Sequence, residues 1–129
     1  MAENVLKNLS ILVVEDDPDL LGILCEFLSM QGADVSQAIN GKEALEVLAA
    51  KKIDLVLSDV QMPVMDGVEL VRAIKRKDKN SPVVFLTTGH SSLDEISAQD
   101  LGAAAFIVKP FKLQQLLGSI CDAFAIRVK

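Results

Sequence analysis

The feature of this sequence that most constrains its fold is a regular alternation between short apolar runs and longer segments with helical periodicity. The apolar runs are rich in leucine and β-branched residues, which is typical of strands buried on both faces of a parallel sheet. We predict strands over residues 10–14, 33–38, 53–58, 82–87 and 104–108. Because helical segments lie between them, the sequence predicts an α/β fold with right-handed crossovers and helices on both faces of the sheet.

The starts of two helices are marked by capping residues. Pro18 at a first helical position, with Asp17 as N-cap, predicts a helix that ends at Gly32. Asn40 followed by Glu43 predicts the next start, because these side chains can satisfy the free backbone N–H groups there. The remaining helices are predicted over about residues 68–76, from Ser92 to Gly102, and over about residues 113–127.

Length and composition indicate one domain with an aliphatic core. The chain has 129 residues, of which half are hydrophobic and only 4% are aromatic, so leucine, isoleucine, valine and alanine must fill the core. We predict a loose N-terminal tail over residues 1–8 and a single domain over residues 9–129. Cys25 and Cys121 fall within apolar helical patterns and are predicted to be small core residues.

Charge and hydropathy exclude several classes of protein. The net charge of −5 and the sequence pI of about 4.8 argue against direct binding to nucleic acid, which requires a basic face. No apolar run approaches the roughly 20 residues of a membrane span, and the N-terminus lacks the basic and then apolar order of a signal peptide. We therefore expect a cytoplasmic protein that contacts no membrane.

Polar residues follow four of the five predicted strands, at the point where each strand ends. These residues are Glu15, Asp16 and Asp17 after the first strand, Asp59 after the third, Thr87 and Thr88 after the fourth, and Lys109 after the fifth. Ligands of open parallel sheets bind at the carboxyl ends of the strands. We therefore expect these side chains to converge on one edge of the sheet.

The residue types at this edge suit a divalent cation and a phosphoryl group. Carboxylates gathered at one site repel one another unless a cation neutralises them. Oxygen donors without a nearby histidine or cysteine favour Mg²⁺, which prefers sites completed by a phosphate. Lys109 supplies a positive charge and Thr87 a hydroxyl donor, and both suit phosphoryl oxygens. The set is sufficient for phosphoryl transfer, in which catalysis is mostly positioning and charge neutralisation.

Four motifs in this order resemble the response-regulator receiver domain of two-component signalling systems. They are ILVVEDD, LSDVQMPVMDG, PVVFLTT and FIVKPF, and the resemblance extends from about residue 9 to about residue 125. It implies a doubly wound (βα)5 flavodoxin-like three-layer sandwich with the parallel strand order 2-1-3-4-5. It also implies a cis peptide bond between Lys109 and Pro110, which proline makes feasible.

The resemblance also implies a role for each residue at the strand ends. Asp59 would be the phosphoacceptor, and Mg²⁺ would be held by Asp59, Asp16, Glu15 and the backbone carbonyl of Gln61. Lys109 would pair with Asp59 and then with the phosphoryl group, while the Thr87 hydroxyl would bind the phosphoryl group and move inward as a switch.

Two positions depart from the commonest pattern of the family. Glu15 stands where an aspartate is usual, which lengthens the arm and keeps the charge. Phe106 stands where many receivers carry a tyrosine, so this second switch residue can act through packing but not through a phenol hydrogen bond.

The function that the resemblance implies is that of a signalling phosphoacceptor rather than an enzyme. A sensor histidine kinase or a phosphotransfer protein would be the donor, and a downstream protein target or output domain would read the result. A stand-alone receiver and a part of a longer regulator or hybrid kinase both fit the chain.

Three alternatives compete with this interpretation. A Mg²⁺-dependent phosphohydrolase would use Asp59 as a transient nucleophile, but it would need a second acid where Gln61 stands and a lid over its substrate. A flavodoxin-type electron carrier would need a phosphate-binding loop after the first strand and aromatic stacking residues. A degenerate receiver would act by binding alone, although the acceptor, acids, threonine and lysine are all present.

Overall fold

The centre of the molecule is a parallel sheet of five strands in the order β2-β1-β3-β4-β5. The structure is a computed structural model that describes residues 4–77, 81–89 and 95–126. The strands are β1 (Ser10–Val14), β2 (Asp34–Ala38), β3 (Leu55–Asp59), β4 (Val83–Thr88) and β5 (Ala105–Val108). The helices are α1 (Pro18–Met30), α2 (Gly41–Ala50), α3 (Gly67–Lys77), α4 (Glu95–Leu101) and α5 (Leu113–Ala123). The predicted strand order and the alternation of elements are confirmed.

Two hydrophobic clusters lie on opposite faces of the sheet. Ile11 and Val13 of β1 pack with residues of α1 and α5. Leu12 and Val14, the alternate residues of the same strand, pack with residues of α2, α3 and α4. Because successive side chains of a strand point to opposite faces, a sheet covered on both sides needs such continuous apolar runs. The three-layer sandwich is therefore confirmed.

The two predicted helix starts are present with their capping contacts. Asp17 Oδ1 accepts a hydrogen bond from the backbone N–H of Asp19 at 3.1 Å. Asn40 Oδ1 accepts one from the backbone N–H of Glu43 at 2.8 Å, and the Glu43 carboxylate accepts one from the N–H of Ile39 at 3.0 Å. These contacts satisfy backbone donors that a helix start otherwise leaves free.

The ends of several elements differ from the prediction. The predicted last helix extends to about residue 127, but α5 ends at Ala123 because the chain then turns, with Ala125 at a φ of 54°. β3 begins at Leu55, two residues after the predicted start at Ile53. The predicted helix start at Ser92 lies outside the described residues. Cys121 is buried as predicted, whereas Cys25 is only half-buried at the margin of the core.

The segment before β1 packs against the sheet's amino edge, the edge where the parallel strands begin. Leu6 is fully buried, although the sequence predicts a loose tail there. Its backbone N–H donates to the carbonyl of Gln31 at 2.8 Å. A Cβ on Gly32 would lie 2.7 Å from the Cα of Asn4, so this close contact needs a glycine. None of the described helices is long and apolar enough to span a membrane.

Candidate functional site

The polar strand ends meet at the carboxyl edge of the sheet, where the parallel strands end. Glu15 follows β1 directly, and Asp59 is the last residue of β3. Asp59 is the register partner of Thr87 on β4, while Lys109 follows the last residue of β5. Parallel strands bring their carboxyl ends to one edge, so residues far apart in sequence become neighbours.

Three carboxylates form one cluster at this edge. Glu15, Asp16 and Asp59 each offer a carboxylate oxygen, and these oxygens all lie within 4.8 Å of one another. Asp16 is exposed, whereas Glu15 and Asp59 are buried. The donors are all hard oxygens, and the exposed side of the cluster leaves room for water ligands. This donor set fits Mg²⁺, which binds few carboxylates and keeps several waters.

Lys109 links two of these carboxylates. Its ammonium nitrogen lies 2.8 Å from Glu15 Oε1 and 3.3 Å from Asp59 Oδ2. The contact with Asp59 is as predicted, while the shorter contact with Glu15 is a finding that sequence reasoning missed. The length of the lysine side chain was the available signal, because it can cross from the end of β5 towards the end of β1. Lys109 therefore holds the two buried acids together.

The electrostatics of the pair differ between its two members. Burial opposes the charged form of Lys109, but the hydrogen bond to Glu15 and the charges of Asp59 and Glu15 outweigh it, so the pKa of the ammonium group is raised. For Glu15, by contrast, burial raises the pKa above its ordinary 4.5. The hydrogen bond from Lys109 opposes this rise. Two carboxylates share one ammonium group, so Glu15 remains short of positive charge. A further cation would relieve that deficit.

The loop after Asp59 returns closely over this residue. The backbone N–H of Gly67 donates to the Val60 carbonyl at 2.9 Å. A Cβ on Gly67 would collide with the backbone carbonyl oxygen of Asp59, so only glycine permits this approach. The backbone N–H of Gln61 lies 3.4 Å from Asp59 Oδ1, and the Gln61 side chain is exposed. Coordination of Mg²⁺ by the Gln61 carbonyl remains a prediction.

The two predicted switch residues lie near the site on adjacent strands. Thr87 is buried, and its backbone carbonyl accepts from the N–H of Val60 at 2.9 Å. Phe106 is half-buried and packs against the cluster under α2, α3 and α4. Their movement on activation remains a prediction. The predicted cis bond between Lys109 and Pro110 is present.

An apolar cavity of 680 Å³ opens beside Lys109 and was not predicted from the sequence. Leu20 and Ile23 of α1 form one wall, and Phe111 and Leu113 form another. Ile23 lines this cavity and is 52% exposed. That exposure cannot be read from the sequence, because the apolar pattern of α1 is continuous around this side.

The chain matches a family of known proteins. Residues 11–121 match the family model of the response regulator receiver domain. The chain therefore belongs to the response-regulator receiver domain family. Among solved structures, it is similar to the signal receiver domain of an HD domain-containing protein from Pseudomonas fluorescens. That likeness has a TM-score of 0.84 and 30% identity over 92% of this chain and 96% of the other.

Other similar proteins agree on the family. A receiver domain protein described as CheY-like from Methanospirillum hungatei has a TM-score of 0.82 and 29% identity, covering 91% of this chain and 94% of the other. The transcriptional regulatory protein PrrA of Mycobacterium leprae is 38% identical over 85% of this chain and 47% of its own length. GlrR of Escherichia coli is 38% identical over 91% of this chain and 26% of its own length. The chain thus spans half or less of these two regulators.

Proposed function

We propose that this receiver domain accepts a phosphoryl group on Asp59 and is itself the signalling phosphoacceptor, not an enzyme that turns over an external substrate. The observation that carries the proposal is that Asp59 contacts the ammonium group of Lys109 and also belongs to the cluster of acids that could hold a metal ion. The Asp59 carboxylate lies 3.3 Å from the Lys109 ammonium group and belongs to the three-acid cluster with Glu15 and Asp16. Membership of the receiver family supports the same assignment.

The proposed step is an in-line displacement at phosphorus. A carboxylate oxygen of Asp59 attacks the phosphorus of a phosphohistidine on the donor protein. An O–P bond forms as the P–N bond breaks, and the electron pair of that bond returns to the imidazole nitrogen. The product is an acyl phosphate.

The neighbouring residues bind and balance the added charge. Glu15, Asp16, Asp59 and the Gln61 carbonyl would hold Mg²⁺, which supplies positive charge to the acceptor and phosphoryl oxygens when bound. The Lys109 ammonium group, already close to Asp59, pairs with the phosphoryl group as it arrives. The Thr87 hydroxyl donates to a phosphoryl oxygen, since Thr87 lies opposite Asp59 in the sheet.

The added charge of about −1.5 to −2 then shifts an existing equilibrium between two arrangements of the domain. Thr87 moves towards the phosphoryl group, and Phe106 repacks in response. The readout is on the face of α4, β5 and α5. Because Phe106 lacks a hydroxyl, the signal passes through side-chain packing alone.

We infer that the partners are a sensor histidine kinase or phosphotransfer protein and a downstream protein target or output domain, all in the cytoplasm. The curated relatives are named transcriptional regulators and are about twice as long as this chain or longer. The part of each regulator outside the match supports an output domain as a downstream partner of such a receiver.

The test is phosphoryl uptake from acetyl phosphate, measured by intact mass. With Mg²⁺, the wild type should gain the mass of one phosphoryl group, and Asp59→Asn should gain none. Asp54→Asn is the matched control, because it makes the same change just before the other end of β3 and should behave as the wild type. Removal of Mg²⁺ with a chelator should abolish the gain. An equal gain in wild type and D59N would contradict the assignment.

A further inference from the structure

Within residues 4–77, 81–89 and 95–126, three buried side-chain polar atoms have no hydrogen-bond partner. They are Ser10 Oγ, Gln31 Oε1 and Thr88 Oγ1. Ser10 begins β1 and Gln31 caps the end of α1, so both lie towards the amino edge, away from the proposed phosphoryl site. Thr88 lies at the carboxyl edge, next to Thr87. The unpaired hydroxyl of Thr88 is therefore the one that can affect the site.

Thr88 connects three parts of the proposed switch. It is the last residue of β4 and follows Thr87 directly. Its backbone carbonyl accepts a hydrogen bond from the N–H of Lys109 at 2.7 Å. Side chains alternate along a strand, so Thr88 faces the same side of the sheet as Leu86, whose register partner is Phe106. A shift of Thr88 would thus involve Thr87, Lys109 and Phe106.

The surroundings of Thr88 make its hydroxyl unfavourable in this arrangement. The residue is only 5% exposed, and a buried hydroxyl without a partner is deprived of the hydrogen bonds that it makes in water. Water is nevertheless close along the chain, because Gly89 is exposed and Val108, the register partner of Thr88, is 60% exposed. A small displacement at the end of β4 would be enough to hydrate the hydroxyl.

We propose that Thr88 is a positioning residue of the switch: its unpaired buried hydroxyl destabilises the resting arrangement of the β4–β5 end and so makes the phosphoryl-bound arrangement easier to reach. This inference rests on the proposed function of Asp59. The threonine would act through Thr87 and Lys109, its neighbours in sequence and in the sheet, and not by contact with the phosphoryl group. Valine has nearly the same shape, with a methyl group in place of the hydroxyl, so Thr88→Val removes the destabilisation and fills the same space.

The test is a titration with beryllofluoride, a phosphoryl analogue, in the presence of Mg²⁺. Amide NMR signals of Lys109 and Gly89 report the bound arrangement. The apparent affinity falls as the population of the competent arrangement falls. We expect the midpoint of Thr88→Val to be about fivefold higher than that of the wild type. This factor corresponds to the lower end of the free-energy cost of a buried hydroxyl without a hydrogen-bond partner. An unchanged or lower midpoint would overturn the inference.

A second pair and a remote control separate switching from stability. Thr88→Ala and Thr88→Ser differ by the same hydroxyl in a smaller side chain, and the alanine variant should again have the higher midpoint. Ser10→Ala removes a buried unpaired hydroxyl near the opposite edge, and should leave the midpoint unchanged. If Thr88→Val resists urea better but keeps the wild-type midpoint, the role is merely structural and the inference is wrong. A wild type that does not bind beryllofluoride contradicts the proposed function of Asp59 itself.

Discussion

The two edges of the same sheet are built in opposite ways. At the amino edge, Leu6 is fully buried, and the backbone N–H of Ser10 donates to the Asp54 carboxylate at 2.9 Å. At the carboxyl edge, Glu15 and Asp59 are buried side by side with a single ammonium group between them. The first edge closes the core, whereas the second concentrates like charges that oppose folding. The residues that stabilise the fold and the residues of the proposed phosphoryl site therefore lie at opposite ends of the strands.

The largest predicted change in the free energy of unfolding is that of a substitution in the core at the amino edge. Leu6→Ala should lower the free energy of unfolding by about 2–5 kcal/mol, because it leaves a cavity under α1 and β1. Urea unfolding followed by far-UV circular dichroism would measure this, since the chain has no tryptophan or tyrosine for fluorescence. The folded fraction should still accept a phosphoryl group as the wild type does. A loss of uptake in excess of the loss of folded protein would mean that the edges are not independent.

Glycine substitutions at the two edges should separate stability from chemistry. Gly32→Ala forces a side chain into the left-handed region, at a φ of 97°, and against Asn4. Gly67→Ala presses on the backbone carbonyl of Asp59. Each should lower the free energy of unfolding by about 1–3 kcal/mol. Only the change at Gly67 should also slow phosphoryl uptake from acetyl phosphate per folded molecule. Equal uptake rates in the two variants would break the comparison.

Replacement of aspartate by asparagine should change the free energy of unfolding in opposite directions at the two ends of β3. Without Mg²⁺, Asp59→Asn should raise the free energy of unfolding by about 1 kcal/mol, because it removes a buried like charge while Lys109 keeps its contact with Glu15. Asp54→Asn should lower it by about 1 kcal/mol, because it weakens a charge-assisted hydrogen bond to Ser10. Parallel urea titrations of both variants would check this. Two changes of the same sign would refute it.

The smallest predicted effect is a dependence of stability on pH at the carboxyl edge. Burial raises the pKa of Glu15 above 4.5, so the folded state holds this proton more tightly than the unfolded state. The contribution is fully present below pH 4.5 and is lost as the pH rises through the raised value. In metal-free buffer, the wild type should therefore lose stability relative to Glu15→Gln as the pH rises through this window. A difference that is constant with pH would exclude this cause.

Much of the fold could be predicted because local and long-range signals agree. The apolar run of β1 ends at Val14, where the acids begin, and Asp17 with Pro18 fixes the start of α1. The end of α5 could not be predicted in the same way. The apolar pattern continues past Ala123, while the structure turns at Phe124, and no glycine or proline marks the turn.

The site was predictable in its members and less so in its contacts. Parallel strands imply that Asp59, Thr87 and Lys109 meet at one edge. The pairing of Lys109 with Glu15 depends instead on side-chain conformations across three strand spacings, which a sequence does not encode locally. The burial of Leu6 was missed for a similar reason, because a short segment with one leucine carries no periodicity.

The measurement that tests the central claim most directly is the location of the phosphoryl group in the wild-type protein. After treatment with acetyl phosphate and Mg²⁺, borohydride converts an aspartyl phosphate to homoserine, which tandem mass spectrometry then locates in the chain. The account predicts homoserine at position 59 alone, and none when Mg²⁺ is removed. Homoserine at Asp16 or Asp66, or a phosphoryl gain with no homoserine at position 59, would contradict it.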